Sequence, residues 1–153
     1  MLKLVEPKPE DKPLFDRLEQ LYGYDFSEVA GNVIGADGLY GSNPCFTDMW
    51  TDPNRFPRLI YVNDEPAGFA LVHQLGERKY DMEQFFVMRK FRRSGIGRDA
   101  AHQLFRAFPG HWTVEQITEN IAAQAFWRDA ISTFTNGKYH DTFGDDPVQS
   151  FEC

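Results

Sequence analysis

Phe85-Phe86-Val87-Met88-Arg89-Lys90-Phe91-Arg92-Arg93-Ser94-Gly95-Ile96-Gly97-Arg98-Asp99-Ala100 is the stretch on which the reading of this chain turns. Apolar residues up to Met88 end a strand, and a basic run follows. Two glycines then open a helix whose stripe is Ile96, Ala100, Ala101, Leu104, Phe105 and Phe108, stopped by Pro109-Gly110. The first turn of a helix presents N–H groups without partners and the positive end of its dipole, and glycine lets a ligand approach the backbone closely. Such a junction suits a phosphate group. Arg89, Lys90, Arg92, Arg93 and Arg98 reverse the local sign of a chain whose net charge is −7.

Working outward, the pattern before this junction is one of strands. Leu59-Ile60-Tyr61-Val62 and Ala67-Gly68-Phe69-Ala70-Leu71-Val72 flank the turn Asn63-Asp64-Glu65-Pro66 and read as a β-hairpin. A third strand runs from Tyr80 to Met88. Strict alternation puts Asp81, Glu83, Phe85 and Val87 on one face, and Met82, Gln84, Phe86 and Met88 on the other. Upstream, residues 1–5 read as a short strand, and Leu14, Phe15, Leu18, Leu21 and Tyr22 mark a helix over residues 11–22. Residues 24–57, broken by Gly31, Gly35, Gly38, Gly41, Pro44, Pro53 and Pro57, read as loops with one short helix near Phe26 to Val33. Downstream, Trp112 to Gln116 is a strand. Asn120 caps a helix that buries Ala123, Phe126, Trp127, Ala130 and Ile131, and residues 138–143 and 148–151 form a last hairpin. This order predicts an α/β (α+β) fold, a single domain over residues 1–153 with a mixed central sheet flanked by helices.

Composition narrows the classes of function. With 42% hydrophobic, 25% charged and 15% aromatic residues, the chain can bury a core without staples. Cys45 and Cys153 fit no metal spacing and no disulfide framework, which points to a reducing compartment and no metal. The first residues turn charged too soon for a secretory signal, and no apolar run reaches the length of a membrane span. The expected location is therefore the cytoplasm, without a membrane partner. The acidic balance disfavours nucleic acid and suits a cationic partner. His73, His102, His111 and His140 are scattered without ligand spacing.

Three readings of the glycine junction compete. In the first it is only a tight turn with a solvated basic face. In the second, Gly95-Ile96-Gly97-Arg98-Asp99-Ala100 fits the G-x-G-x-x-A of a dinucleotide fold, with Glu115 as the ribose-binding acid. There, however, a basic run separates the first glycine from its strand, and too little chain follows to complete that fold. The third takes in more of the sequence. Arg92-x-x-Gly95-x-Gly97, set between strand and helix, resembles the R/Q-x-x-G-x-G/A pyrophosphate loop of the GNAT superfamily of acetyl-CoA-dependent N-acetyltransferases. Asn120-x-x-Ala123-x-x-Phe126-Trp127 resembles the second part of that family's signature, and the likeness covers residues 58 to 135.

The resemblance implies an acyltransferase with acetyl-CoA as co-substrate, no metal, and a small-molecule or peptide amine as acceptor. Arg92, Arg93, Ser94, Gly95, Ile96, Gly97 and Arg98 would hold the pyrophosphate, chiefly through backbone N–H groups. The Val87 amide would bind the acetyl carbonyl, Phe86 and Met88 would add backbone contacts, and Asn120 and Phe126 would meet the cofactor from the other side. An amine must lose its proton before it attacks, and Glu83, then Asp81, are the expected bases. Trp127 stands where the family usually has a tyrosine that protonates the departing thiolate. Indole is no useful acid, which leaves Tyr139 or solvent. Tyr22, Tyr24, Asp25, Phe26, Asp48, Trp50 and Asp52 lie in the segment where the superfamily builds its acceptor pocket. A homodimer remains open, as does an alternative function, a non-catalytic module that senses acyl-CoA.

Overall fold

Pro7 and Pro9 separate a first strand, β1 (Leu2–Val5), from a long helix, α1 (Lys12–Ala30), in the computed structural model, which describes residues 1–153. A short helix α2 (Cys45–Asp48) precedes a meander of β2 (Arg55–Val62), β3 (Glu65–Gly76) and β4 (Lys79–Val87). Asn63 and Asp64 both take positive φ, 49° and 65°, the conformation that matches a two-residue turn to the twist of a hairpin. Then come α3 (Ile96–Ala107), β5 (His111–Glu115), α4 (Ile121–Thr135), β6 (His140–Asp141) and β7 (Val148–Glu152). The seven strands lie in the order β1-β2-β3-β4-β5-β7-β6, and only β4 and β5 run parallel.

Each face of the sheet buries a separate apolar cluster. On one, Ala70, Val72, Met82 and Trp112 meet Leu104 and Phe105 of α3 and Trp127, Ala130 and Ile131 of α4. On the other, Leu59, Phe69, Leu71 and Phe86 meet Phe15 and Leu18 of α1 and Cys45 and Phe46 of α2, with Phe15 and Phe69 rings 4.8 Å apart. This is the mixed sheet between helices that the sequence predicts. No helix is long and apolar enough to cross a membrane.

Two expectations require correction. The helix expected over residues 11–22 continues to Ala30, so the short helix expected near Phe26 to Val33 is the end of α1. Gly23 does not stop it; the space it leaves is taken by Tyr40, whose Cβ would lie 3.2 Å from an added Cβ. The second concerns β4. Leu71 faces Gln84 while Val72 faces Met82, so Glu83 is the extra residue of a β-bulge. The strict alternation therefore fails. Asp81 faces His73, which alternates with Phe69 and Leu71 on the α1 side, whereas Phe85 and Val87 pack with the clusters on the α3 and α4 side. Asp81 and Glu83 do not share a face with Val87.

Candidate functional site

A cleft of about 1600 Å³ opens where β4 and β5 part company. The two strands pair only from Lys79 to Asp81 against His111 to Thr113. Beyond that point β5 is drawn toward β7, since the Gln116 N–H donates to Pro147 O at 3.0 Å and its side chain to Gln149 Oε1 at 2.7 Å. Aromatic rings floor the gap, with Phe85 stacked on Phe126 at 5.8 Å and edge-on to Trp127 at 4.9 Å. The outer edge of β4 is thus left without a neighbouring strand. Met88 N–H donates to Ala67 O across β3 at 2.8 Å, and alternation along a strand then turns the Val87 and Phe85 N–H groups away from β3, into the opening.

At one end of the cleft lies the glycine junction. Arg93 and Gly95 take positive φ, 61° and 85°, on either side of Ser94, the left-handed backbone conformation from which an anion-binding nest is built. The N–H groups of residues 93 to 98 meet no acceptor in the protein. A pyrophosphate fits these donors, which sit at the start of α3 where the helix dipole favours negative charge. Gly97 has a different reason to be small: an added Cβ would stand 3.2 Å from the Phe126 ring of α4.

The basic run is less free than its sequence suggests. Asp25 accepts from Arg89 and Arg92, and Lys90 bonds Glu65 at 2.6 Å, which leaves Arg93 and Arg98 as the cations beside the nest. Arg98 itself stands 3.9 Å from Asp129. Ser94 Oγ turns back to Phe91 O, and Ile96 packs into the core, so both offer the site only their N–H groups. Met88 spends its N–H on β3 and does not line the cleft. Asn120 caps α4 by accepting from Ala123 N at 3.1 Å and lines the cleft together with Phe126 and Phe86.

The other end is acidic. Glu83 is held by a two-pronged ion pair, Arg55 Nε to Oε2 at 2.9 Å and Nη2 to Oε1 at 3.0 Å, and Asp52 takes the remaining prong of Arg55 at 2.6 Å. Asp81 makes no side-chain hydrogen bond. Burial, with Glu83 and then Glu115 nearby, pushes its carboxyl up from 3.8 to about 6. Tyr22 donates to Gln84 Oε1 at 2.7 Å, and burial raises its phenol. The Cys45 thiol, beside Gln84, is likewise pushed up by burial to about 11, too high for a nucleophile at neutral pH. Glu19 holds Ser42, and burial raises its carboxyl too.

Of the expected acceptor-side residues, Tyr22, Asp25 and Phe26 line the cleft, and Tyr24, Asp48, Trp50 and Asp52 do not. Trp50 packs on Phe15 and Asp52 serves Arg55. Tyr139 packs against the core and is not part of the cleft wall, and Trp127 is buried among Phe85, Phe105 and Phe126. Sequence reasoning passes over Phe85, whose N–H has the same parity as that of Val87, and over Arg55, whose partner lies 28 residues away.

Comparison with known proteins places these features in context. A sequence model described as the acetyltransferase (GNAT) family matches residues 16–130. A search among curated proteins finds no match. Among solved structures, an acetyltransferase from Thermus thermophilus is similar with a TM-score of 0.74 at 16% identity, covering 100% of this chain and 97% of that one. A ribosomal-protein alanine N-acetyltransferase from Escherichia coli is similar with a TM-score of 0.66 at 15% identity, covering 99% and 94%. A PaiA N-acetyltransferase from Thermoplasma acidophilum, solved with coenzyme A, has a TM-score of 0.64 at 11% identity, covering 100% and 99%.

Proposed function

The chain belongs to the acetyltransferase (GNAT) family, and on that premise we propose that it transfers the acetyl group of acetyl-CoA to a primary amine by direct attack. The observation that carries this reading is the meeting, in one cleft, of the unpartnered N–H groups of residues 93–98, the open edge of β4, and an unpaired carboxyl raised to about 6 at Asp81. The first holds a pyrophosphate. On the second, the Val87 and Phe85 N–H groups aim at a thioester carbonyl, where they stabilise the negative charge that attack develops. The third supplies the base.

Between the two candidate bases, we propose Asp81. Glu83 spends both oxygens on Arg55, and taking up a proton would break that pair. Asp81 has no such partner, and its raised affinity for protons suits a base working near neutrality. Phe85 lies four residues from Asp81, about 13 Å at 3.3 Å per residue before the bulge shortens it, so the proton passes along a chain of waters. The amine nitrogen bonds the acetyl carbon, the carbon–sulfur bond breaks, and the thiolate takes its proton from solvent, since no tyrosine hydroxyl is free in the cleft. The acceptor amine enters beside Glu19, Tyr22, Asp81 and Glu115. Acidic walls favour a cationic amine there.

The test is thiol release from acetyl-CoA across small amines, amino acids, polyamines, aminoglycosides and peptides, with binding followed by calorimetry. Turnover with at least one amine, lost in Asp81→Asn, is expected. Tight acetyl-CoA binding with no turnover on any amine would instead favour a non-catalytic sensor.

A further inference from the structure

The carbonyl of Val87 sits on the β4 edge that has lost its neighbour, and a side chain stands in for the missing strand. Arg92 Nε donates to Val87 O at 2.8 Å. The rest of that guanidinium is gripped from α1: Nη2 donates to Asp25 Oδ2 at 2.6 Å and Nη1 to Asp25 Oδ1 at 3.3 Å, while Arg89 Nε donates to the same Oδ1 at 3.1 Å. A guanidinium so engaged has its fork turned to a carboxylate and a peptide oxygen, not to the nest at residues 93–98. Asp25 lies on the acceptor side of the cleft and Arg92 opens the basic loop, so the contact ties the two walls together through the strand between them.

We infer that Asp25 and Arg92 form a positioning pair that fixes the splayed edge of β4, and with it the outward N–H groups that meet the thioester. The inference rests on the functional reading above and departs from it in one respect: the Arg92 side chain acts on the strand and not on the pyrophosphate. Neither residue touches a reacting atom. Their effect is on the aim of N–H donors, and the loss of a fraction of an ångström in such aim costs turnover more than affinity.

The experiment uses the full chain with acetyl-CoA carrying ¹³C at the acetyl carbonyl, and compares wild type with Asp25→Asn, Arg92→Gln and the conservative Asp25→Glu. In the wild type the bound carbonyl resonance is displaced from that of free acetyl-CoA by the N–H donors. Asp25→Asn and Arg92→Gln are expected to move it back toward the free value and to lower kcat about tenfold to a hundredfold. Affinity for CoA should stay within about threefold. Asp25→Glu, which keeps the charge, should recover part of both signals.

A large loss of CoA affinity in Arg92→Gln, with pantetheine affinity unchanged, would show a pyrophosphate ligand and overturn the inference. So would a lower melting temperature with an unmoved carbonyl resonance, which marks a simple staple. Failure of the wild type to bind acetyl-CoA would overturn the functional reading itself, and the pair with it.

Discussion

Replacing Asp81 with asparagine should make the protein more stable and inactive at once. The carboxyl is raised from 3.8 to about 6, chiefly by burial and then by Glu83 and Glu115, so the folded state resists its ionisation. Between those pH values the folded chain binds more protons at this site than the unfolded chain. Stability therefore falls as pH rises through that window and levels off above it. A tenfold change in proton affinity is worth about 1.4 kcal/mol, which sets a ceiling of about 3 kcal/mol at pH 8. Water reaching the exposed part of the side chain lowers this to about 1.5–3 kcal/mol. Asp81→Asn removes the charge and should gain that amount, a rise in Tm of about 3–10 °C for a chain of this size. The gain should shrink to nothing near pH 4, where the wild-type carboxyl is protonated as well. Thermal melts of both proteins from pH 4 to 8 measure it, alongside thiol-release kinetics, in which kcat/KM should drop about a hundredfold or more and lose its acid limb near pH 6. A variant equally stable or weaker at pH 8, with activity retained, would remove Asp81 from the chemistry and the strain from the site.

Glu83→Gln should leave most of kcat intact and shift the acid limb of the pH profile downward, because it removes a negative neighbour of Asp81; a loss of about a hundredfold at every pH would make Glu83 the base. Gly95→Ala places a side chain at φ 85° with open space around it, so about 1–2 kcal/mol of backbone strain is expected, together with weaker CoA binding by calorimetry as the nest distorts. Trp127→Ala should cost about 3–5 kcal/mol in denaturant melts, since the ring is buried. Trp127→Phe should keep turnover within a few-fold, and a large kcat loss in a folded Trp127→Phe protein would show that the indole takes part in the reaction.

What the sequence reveals here is what local chemistry decides. The glycine junction, the Asn120 cap and the turn at Asn63-Asp64 each rest on residues within a few positions of one another, and each is where the pattern puts it. The bulge at Glu83 has no such signal: Asp81-Met82-Glu83-Gln84 reads equally well as unbroken alternation, and only the partner strand shows that one residue is surplus. The run past Gly23 fails for a similar reason, because the atom that makes a glycine useful there belongs to Tyr40, seventeen residues later. The basic run misleads through its partners. Asp25 lies more than sixty residues from Arg89 and Arg92, and pairing with it turns the expected phosphate ligand Arg92, together with Arg89 of the same basic run, into neighbours of a carboxylate.

The bulge also explains how one strand serves two reactants. In a regular strand, Asp81, Glu83, Phe85 and Val87 would all project to the same side, and the carboxylates would sit among Phe126 and Trp127, in the apolar packing under α4. The surplus residue reverses the parity between them. Asp81 and Glu83 face α1, where Arg55 and the acceptor wall lie, while Phe85 and Val87 send their side chains under α4. The N–H groups of Phe85 and Val87 remain in the plane of the sheet, reachable from both sides of the gap left by β5. On the function proposed above, an amine deprotonated on the α1 side and a thioester held from the start of α3 would meet at that edge. Deleting Glu83 would remove the bulge and leave Asp81 opposite His73, Met82 opposite Val72 and Gln84 opposite Leu71 in unbroken alternation. Asp81 should then keep its face and the fold should survive in thermal melts, with Arg55 deprived of its Glu83 partner. A deletion protein that fails to fold would refute this account of the register, whereas Glu83→Gln keeps both the extra residue and the parity.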